Sequence, residues 1–310
     1  MRDEARSRFV ALLQARQKAA LRGDVAEEER IGRECLSLAG EEAYEAPGPD
    51  LSLRLEAVAH EENADWSQAE AAYMKALELA RSEGNDMAEF KAHSDLASLF
   101  GLQDRKGQAL EQAQAALEAA RRADAVALSS MGWADLTRAL LALGRISEAR
   151  EAASASVRIC ADNPMYAPLI AGGLVLRARC AVELGDLSAA EADLETARPV
   201  LAPYAEATLM AGLQSRLAGW WEVKARLCTA REDLQGAAES LRKAVEFRRS
   251  VAQAPQLAGP YRFNALAATL HRYALALLAV SEVEGASAAF RESRLIRQQI
   301  GLLGFEGSID

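Results

Sequence analysis

The chain has 310 residues, half of them apolar and 26% charged, with aromatics at 5% and a net charge of −9. This composition excludes a disordered chain, and an alanine share of about a fifth with few β-branched residues excludes an all-β fold. The negative balance argues against a general nucleic-acid binder, which needs a basic face to release counterions from phosphates.

Taken in chain order, apolar periodicity and turn signals predict helix pairs near 2–41, 51–83, 86–123, 125–161, 165–200, 204–252 and 260–300, with 301–310 as a tail or loose cap. Arg22-Gly23-Asp24-Val25 centres the first pair, and Pro47-Gly48-Pro49 breaks the chain after it. Asn163-Pro164 precedes the fifth pair. Pro199 and Pro203 bracket the lead into the sixth, and Pro255 with Gly259-Pro260 leads into the seventh. The expected fold class is all-α, a single solenoid over 1–310. No run of 18 residues is both apolar and uncharged, so no membrane span is expected. The acid-bearing start, Met1-Arg2-Asp3-Glu4, does not read as a signal peptide.

The pairs share an internal repeat. Anchor alanines stand at Ala69, Ala109, Ala149, Ala190, Ala237 and Ala286, spaced by 40, 40, 41, 47 and 49 residues. A small residue follows seven positions later, at Ala76, Ala116, Ser156, Ala197 and Ala244, which is two turns along one helix face. Small side chains are needed where two helix axes approach closely, and a tight polar turn is needed between the helices. A single unit cannot bury its apolar face alone, so the units must stack.

The copy Asp65-Trp66…Ala69…Tyr73…Lys75-Ala76-Leu77 resembles the tetratricopeptide repeat family, as do the looser first-helix patterns Leu96-Ala97…Phe100, Trp133…Leu136 and Trp221…Ala225. The period of about forty residues is similar to the long-helix variant of kinesin light chains and bacterial signalling regulators. The resemblance implies a right-handed α-α superhelix, a solenoid whose first helices line a concave groove for a peptide or protein partner. Chaperone-binding relatives use a carboxylate clamp with asparagines that are missing here, so that partner is not implied.

No phosphate loop, nucleophile elbow or zinc-protease motif occurs. The four cysteines, Cys35, Cys160, Cys180 and Cys228, form no C-x-x-C pair, and His60, His93 and His271 lie far apart. No metal, no cofactor and no catalytic centre are therefore expected, and a reducing cytoplasm is the simplest setting. Gly172-Gly173 follows no strand and reads as a close-packing or kink position.

Candidate binding residues come from the repeat register. One groove-facing position, five residues beyond the tryptophan-like one, reads Val58, Ser98, Arg138, Arg179, Arg226 and Leu275. Three successive arginines would form a ladder with rungs roughly 10 Å apart, suited to an acidic peptide, a terminal carboxylate or another anion. Asp135, Glu183 and Glu222 lie on the same helices, and pairing with them would make the ladder an internal salt-bridge network instead. Trp221 matches a core position, which turns Trp220 about 100° away toward the groove or an edge, as a binding anchor or as interhelix packing. His271 is placed at the groove on the first helix of the last pair. Residues 221–310 hold 12 bases against 10 acids, and Arg291, Arg294 and Arg297 form a basic patch at the end of the array. That patch is either a solvated cap or a dock for an acidic partner or a second copy of the chain. Two functions remain: a non-catalytic interaction scaffold, or a ligand- or peptide-sensing module acting on a separate output protein.

Overall fold

The computed structural model describes residues 49–205, 211–254 and 259–302, with isolated positions between 12 and 34. Among the described residues twelve α-helices run in order: α1 Pro49–Glu62, α2 Trp66–Ser82, α3 Asp86–Leu102, α4 Lys106–Arg122, α5 Val126–Ala142, α6 Ile146–Cys160, α7 Ala167–Glu183, α8 Leu187–Leu201, α9 Ala211–Ala230, α10 Leu234–Ala252, α11 Tyr261–Ala279 and α12 Val283–Gln299. Short 3-10 turns at Pro164–Tyr166 and Ala202–Tyr204 precede α7 and follow α8.

One backbone device builds every pair. The first helix ends in a bond from the sixth residue back to the first, as in Asp65 N–H to His60 C=O, Arg105 to Phe100, Arg145 to Leu140, Asp186 to Ala181, Asp233 to Cys228 and Glu282 to Leu277. The same bond joins Asp24 to Ala19 at the centre of the first expected pair, most of which lies outside the described residues. The residue before each of these six donors adopts a left-handed backbone: Ala64, Asp104, Gly144, Gly185, Glu232 and Ser281. This closes the last carbonyls of the helix in the Schellman manner. Glycine accepts that backbone freely at Gly144 and Gly185; the other four turns hold it with a side chain attached.

The donor residue then starts the next helix, and the anchor alanine is its fourth residue on. All six anchors are buried. So are Ala76, Ala116, Ser156, Ala197 and Ala244, and Ser293 completes the series. Small residues also act from the first helices: a Cβ on Gly132 of α5 would stand 3.0 Å from the Leu117 Cα of α4. Each helix packs on its predecessor and successor, and α3, α5, α7 and α9 also pack on one another as an inner row.

One expectation needs correction. Pro199 does not lead into a later helix but lies in the last turn of α8. The stretch Pro164–Glu183 is long and apolar enough to cross a membrane by length and composition, where no span was expected. Arg177 and Arg179 lie within it, so it holds no run of 18 uncharged residues. In the structure Ala171, Leu174, Val175 and Ala178 of this stretch share a core with Leu194, Trp220 and Leu227. Arg177 forms an ion pair with Asp193 at 2.5 Å.

The superhelix also closes on itself. The Tyr261 hydroxyl of α11 donates to Glu61 Oε1 of α1 at 2.6 Å, and the Gly259 N–H donates to Glu62 at 3.3 Å. A Cβ on Gly301 would collide with Ala64 in the α1–α2 turn. Leu302 is buried, so the segment expected to begin a loose tail at 301 starts inside the fold. Residues 303–310 lie outside the described residues.

Candidate binding surface on the inner row

The inner row leaves three cavities along its length. One of about 490 Å³ lies between α3, α5 and α11 and is lined by Ser98, Asp135, Arg138 and Tyr261. A second, of about 370 Å³, lies between α5, α7 and α9. A third, of about 500 Å³, is lined by Glu183, Glu222, Arg226, His271 and Arg272. The three arginines of the expected ladder all reach these cavities, on α5, α7 and α9.

They are not equivalent. Arg138 bonds Asp135 one turn away on its own helix at 2.5 Å, and Asp135 also accepts from the Ser94 hydroxyl of α3 at 2.7 Å. Burial raises the Asp135 pKa above its ordinary value, against the pull of Arg138 and Ser94. Arg226 reaches across to Glu183 of α7 at 2.7 Å. Arg179 has no ion pair, and its Nε has no hydrogen-bond partner. Burial brings its pKa down to about 10, and repulsion from Arg226 and Arg272 adds to this against a weaker pull from Glu222 and Glu183. Of the two readings of the ladder, the internal network accounts for Arg138 and Arg226 and leaves Arg179 unpaired.

Glu222 is the hub of the interior. Its carboxylate accepts from Arg248 at 2.9 Å and from the Thr269 hydroxyl at 2.7 Å, with Arg272 at 3.3 Å. Burial alone would raise its pKa, but Arg248, Arg272 and these hydrogen bonds outweigh it and hold the group at about 2. Glu222 thus joins α9, α10 and α11 and leaves the arginine ladder to others. Arg248, in a run of basic residues on α10, turns inward to this carboxylate.

His271 lines the third cavity and meets Phe290 edge-on, with centroids 5.1 Å apart. Burial lowers its pKa, and Arg297 and Arg272 lower it further. Of the two roles open to Trp220, the structure gives it packing and no place at the groove, while Trp221 packs half-buried on the same core. Trp220 is buried and donates from Nε1 to the Leu194 carbonyl at 2.7 Å. Trp221 is the more exposed ring, with Lys243 Nζ 4.4 Å from its centroid. The basic end patch does not form as expected either: Arg291 and Arg294 are exposed, but Arg297 is buried. Residues six apart on a helix point about 120° from each other, so the third arginine turns inward.

Sequence reasoning missed Arg216 of α9, which lines the second cavity. Its aliphatic stem and Nε lie against Gly172, where a Cβ would stand 3.1 Å from Nε and 3.2 Å from Cδ. The Gly172-Gly173 pair was the available signal. Gly173 packs tightly on Val157, as close packing requires, and Gly172 leaves space for a guanidinium. Among the described residues no group of three His, Cys, Asp or Glu side chains is placed to hold a metal ion.

No protein-family model matches the chain, and no curated protein sequence matches it. Solved structures do. RapI in its apo form superposes with a TM-score of 0.60 at 11% identity, covering 95% of this chain and 99% of that one. Aspartyl phosphate phosphatase F from Bacillus subtilis gives 0.59 at 12% identity, covering 91% of this chain and 68% of that one. NprR in complex with its cognate peptide NprX gives 0.51 at 14% identity, covering 98% and 83%. At such identities the likeness speaks for architecture, and with the repeated turn and alanine pattern it fixes the fold as a tetratricopeptide-like α-α solenoid.

Proposed function

We propose that the chain is a non-catalytic binding module that takes a peptide or an extended protein segment, acidic in character, along its inner row. The observation that carries this reading is the succession of three cavities on α3, α5, α7, α9 and α11, each lined by arginine or by the cluster around Glu222. A preformed concave surface with spaced polar groups suits an extended ligand. The likeness to NprR, solved with its cognate peptide, supports the same class of ligand.

The test is a random-peptide display selection against the purified protein, followed by calorimetry on the enriched synthetic peptides. Enriched sequences should be acidic. The double variant Arg138→Glu with Arg226→Glu should weaken them by about tenfold or more, through reversed charge in a partly desolvated site, with helical circular dichroism unchanged. Failure to enrich any peptide, or peptides indifferent to the double variant, would refute the reading.

The contact between Glu61 and Tyr261 favours a second, sensing role, in which the bound segment shifts the closure of the array. In that case ligand addition should change hydrogen exchange at both α1 and α11. Protection confined to α5–α9 would exclude it.

A further inference from the structure

We infer that the cavity of about 370 Å³ between α5, α7 and α9 is a seat for a compact oxyanion, a carboxylate or phosphate group, gripped by Arg179 from α7 and Arg216 from α9. This deepens the inner-row reading above and rests on it.

Charge accounting within the cavity comes first. Its lining holds four arginines, Arg138, Arg179, Arg216 and Arg248, against two carboxylates, Asp135 and Glu222. Both carboxylates are already engaged. Asp135 serves Arg138 and Ser94. Glu222 serves Arg248, Arg272 and Thr269. Among the described residues no acid lies within ion-pair reach of Arg179 or Arg216. Two guanidiniums thus stand half-buried without a direct ion pair, Arg179 feeling Glu222 and Glu183 only at longer range, beside an apolar wall of Leu169, Val175, Leu176 and Val223.

Such an arrangement is unfavourable to the empty protein. Desolvated cations without direct partners cost free energy. Burial lowers the pKa of both arginines, and neighbouring arginines push in the same direction. Gly172 adds to the cost, because a glycine inside a helix is about 1 kcal/mol less favourable than alanine. Alanine there would crowd Arg216 at Nε and Cδ. The fold therefore carries a weakened helix position beside an uncompensated cation. Glu222 and Glu183 offset the Arg179 charge only in part, and a bound anion would complete the pairing.

The chemistry of the occupant follows. Guanidiniums bind carboxylate and phosphate oxygens through planar paired N–H donors. The volume suits a terminal group with a few attached atoms rather than a whole peptide. The seat would thus fix one end or one modified side chain of a segment lying along the inner row.

The experiment is calorimetry in a low-chloride buffer with two probes, inorganic phosphate and acetate, which separate the two sources of oxyanion. The proteins are wild type, Arg179→Gln, Arg216→Gln, Gly172→Ala and an outer-surface control, Arg198→Gln. At least one probe should bind wild type and the control alike. Each of the three cavity variants should lose about tenfold or more in affinity, Gly172→Ala doing so with every charge retained. Without probe, Arg179→Gln and Arg216→Gln should melt at or above the wild-type temperature, which a residue kept for packing would not do. Absence of binding by either probe, or binding indifferent to Arg179→Gln and Arg216→Gln, overturns the seat. If display-selected peptides still bind in that case, the inner-row reading survives alone. If they also fail, both fall.

Discussion

Glu61 offers a pH test of the closed array. Its side chain is fully buried, Oε1 accepts from Tyr261, and Oε2 has no hydrogen-bond partner. Burial pushes its pKa up from 4.5 to about 7, more than the Tyr261 hydrogen bond pulls it down. Below about pH 4.5 both folded and unfolded chains carry this carboxyl protonated, and it costs nothing. As pH rises toward 7, the unfolded chain ionises first and stability falls. Above 7 the folded form ionises too, and the penalty levels off at about 3 kcal/mol for that interval. Glu61→Gln keeps the acceptor for Tyr261 and removes the ionisation. The variant should match wild type near pH 4.5 and exceed it progressively to pH 7, by up to about 3 kcal/mol. Paired urea titrations at several pH values read the difference directly. Wild-type and variant curves that run parallel across this range would refute the argument.

Glu222 should behave in the opposite sense. Its carboxylate is held at about 2, so its contribution is full above the ordinary value of 4.5 and is lost as pH falls from there to 2. Glu222→Gln leaves Arg248 and Arg272 without their counter-charge and should lower stability by about 3–5 kcal/mol at neutral pH, visible as a lower melting temperature. A variant that melts with wild type would remove Glu222 from its central place. Gly132→Ala puts a Cβ 3.0 Å from the Leu117 Cα, a backbone atom that cannot step aside. A loss of about 1–3 kcal/mol is expected from this overpacking, and an unchanged urea midpoint would contradict so close an approach of α4 and α5.

The architecture is legible because its causes are local. A polar turn, a left-handed residue and an alanine four positions into the next helix recur at nearly constant spacing, and each can be seen within one unit. What escapes the sequence depends on rotation about a helix or on remote partners. Trp220 turns into the core beside Trp221 because one residue of register turns a side chain by about 100°, and their unit is lengthened to 47 residues. Arg226 finds its acid 43 residues away on α7, and Arg248 finds Glu222 across 26. Arg216 carries no local mark at all. Its significance appears only when Gly172, 44 positions earlier, is seen to lie beneath it.

The contact between Tyr261 and Glu61 bridges 200 residues, whereas neighbouring units meet across about 40. In a linear stack the outermost units have one neighbour each and fray independently. Here the unit of α1, second in the expected order, meets the last unit through α11, so loosening one strips support from the other. Assembly has an order for the same reason. Stacking of adjacent units brings the two edges within reach, and the clasp between them forms last, with little added loop entropy because the intervening units have already set the path.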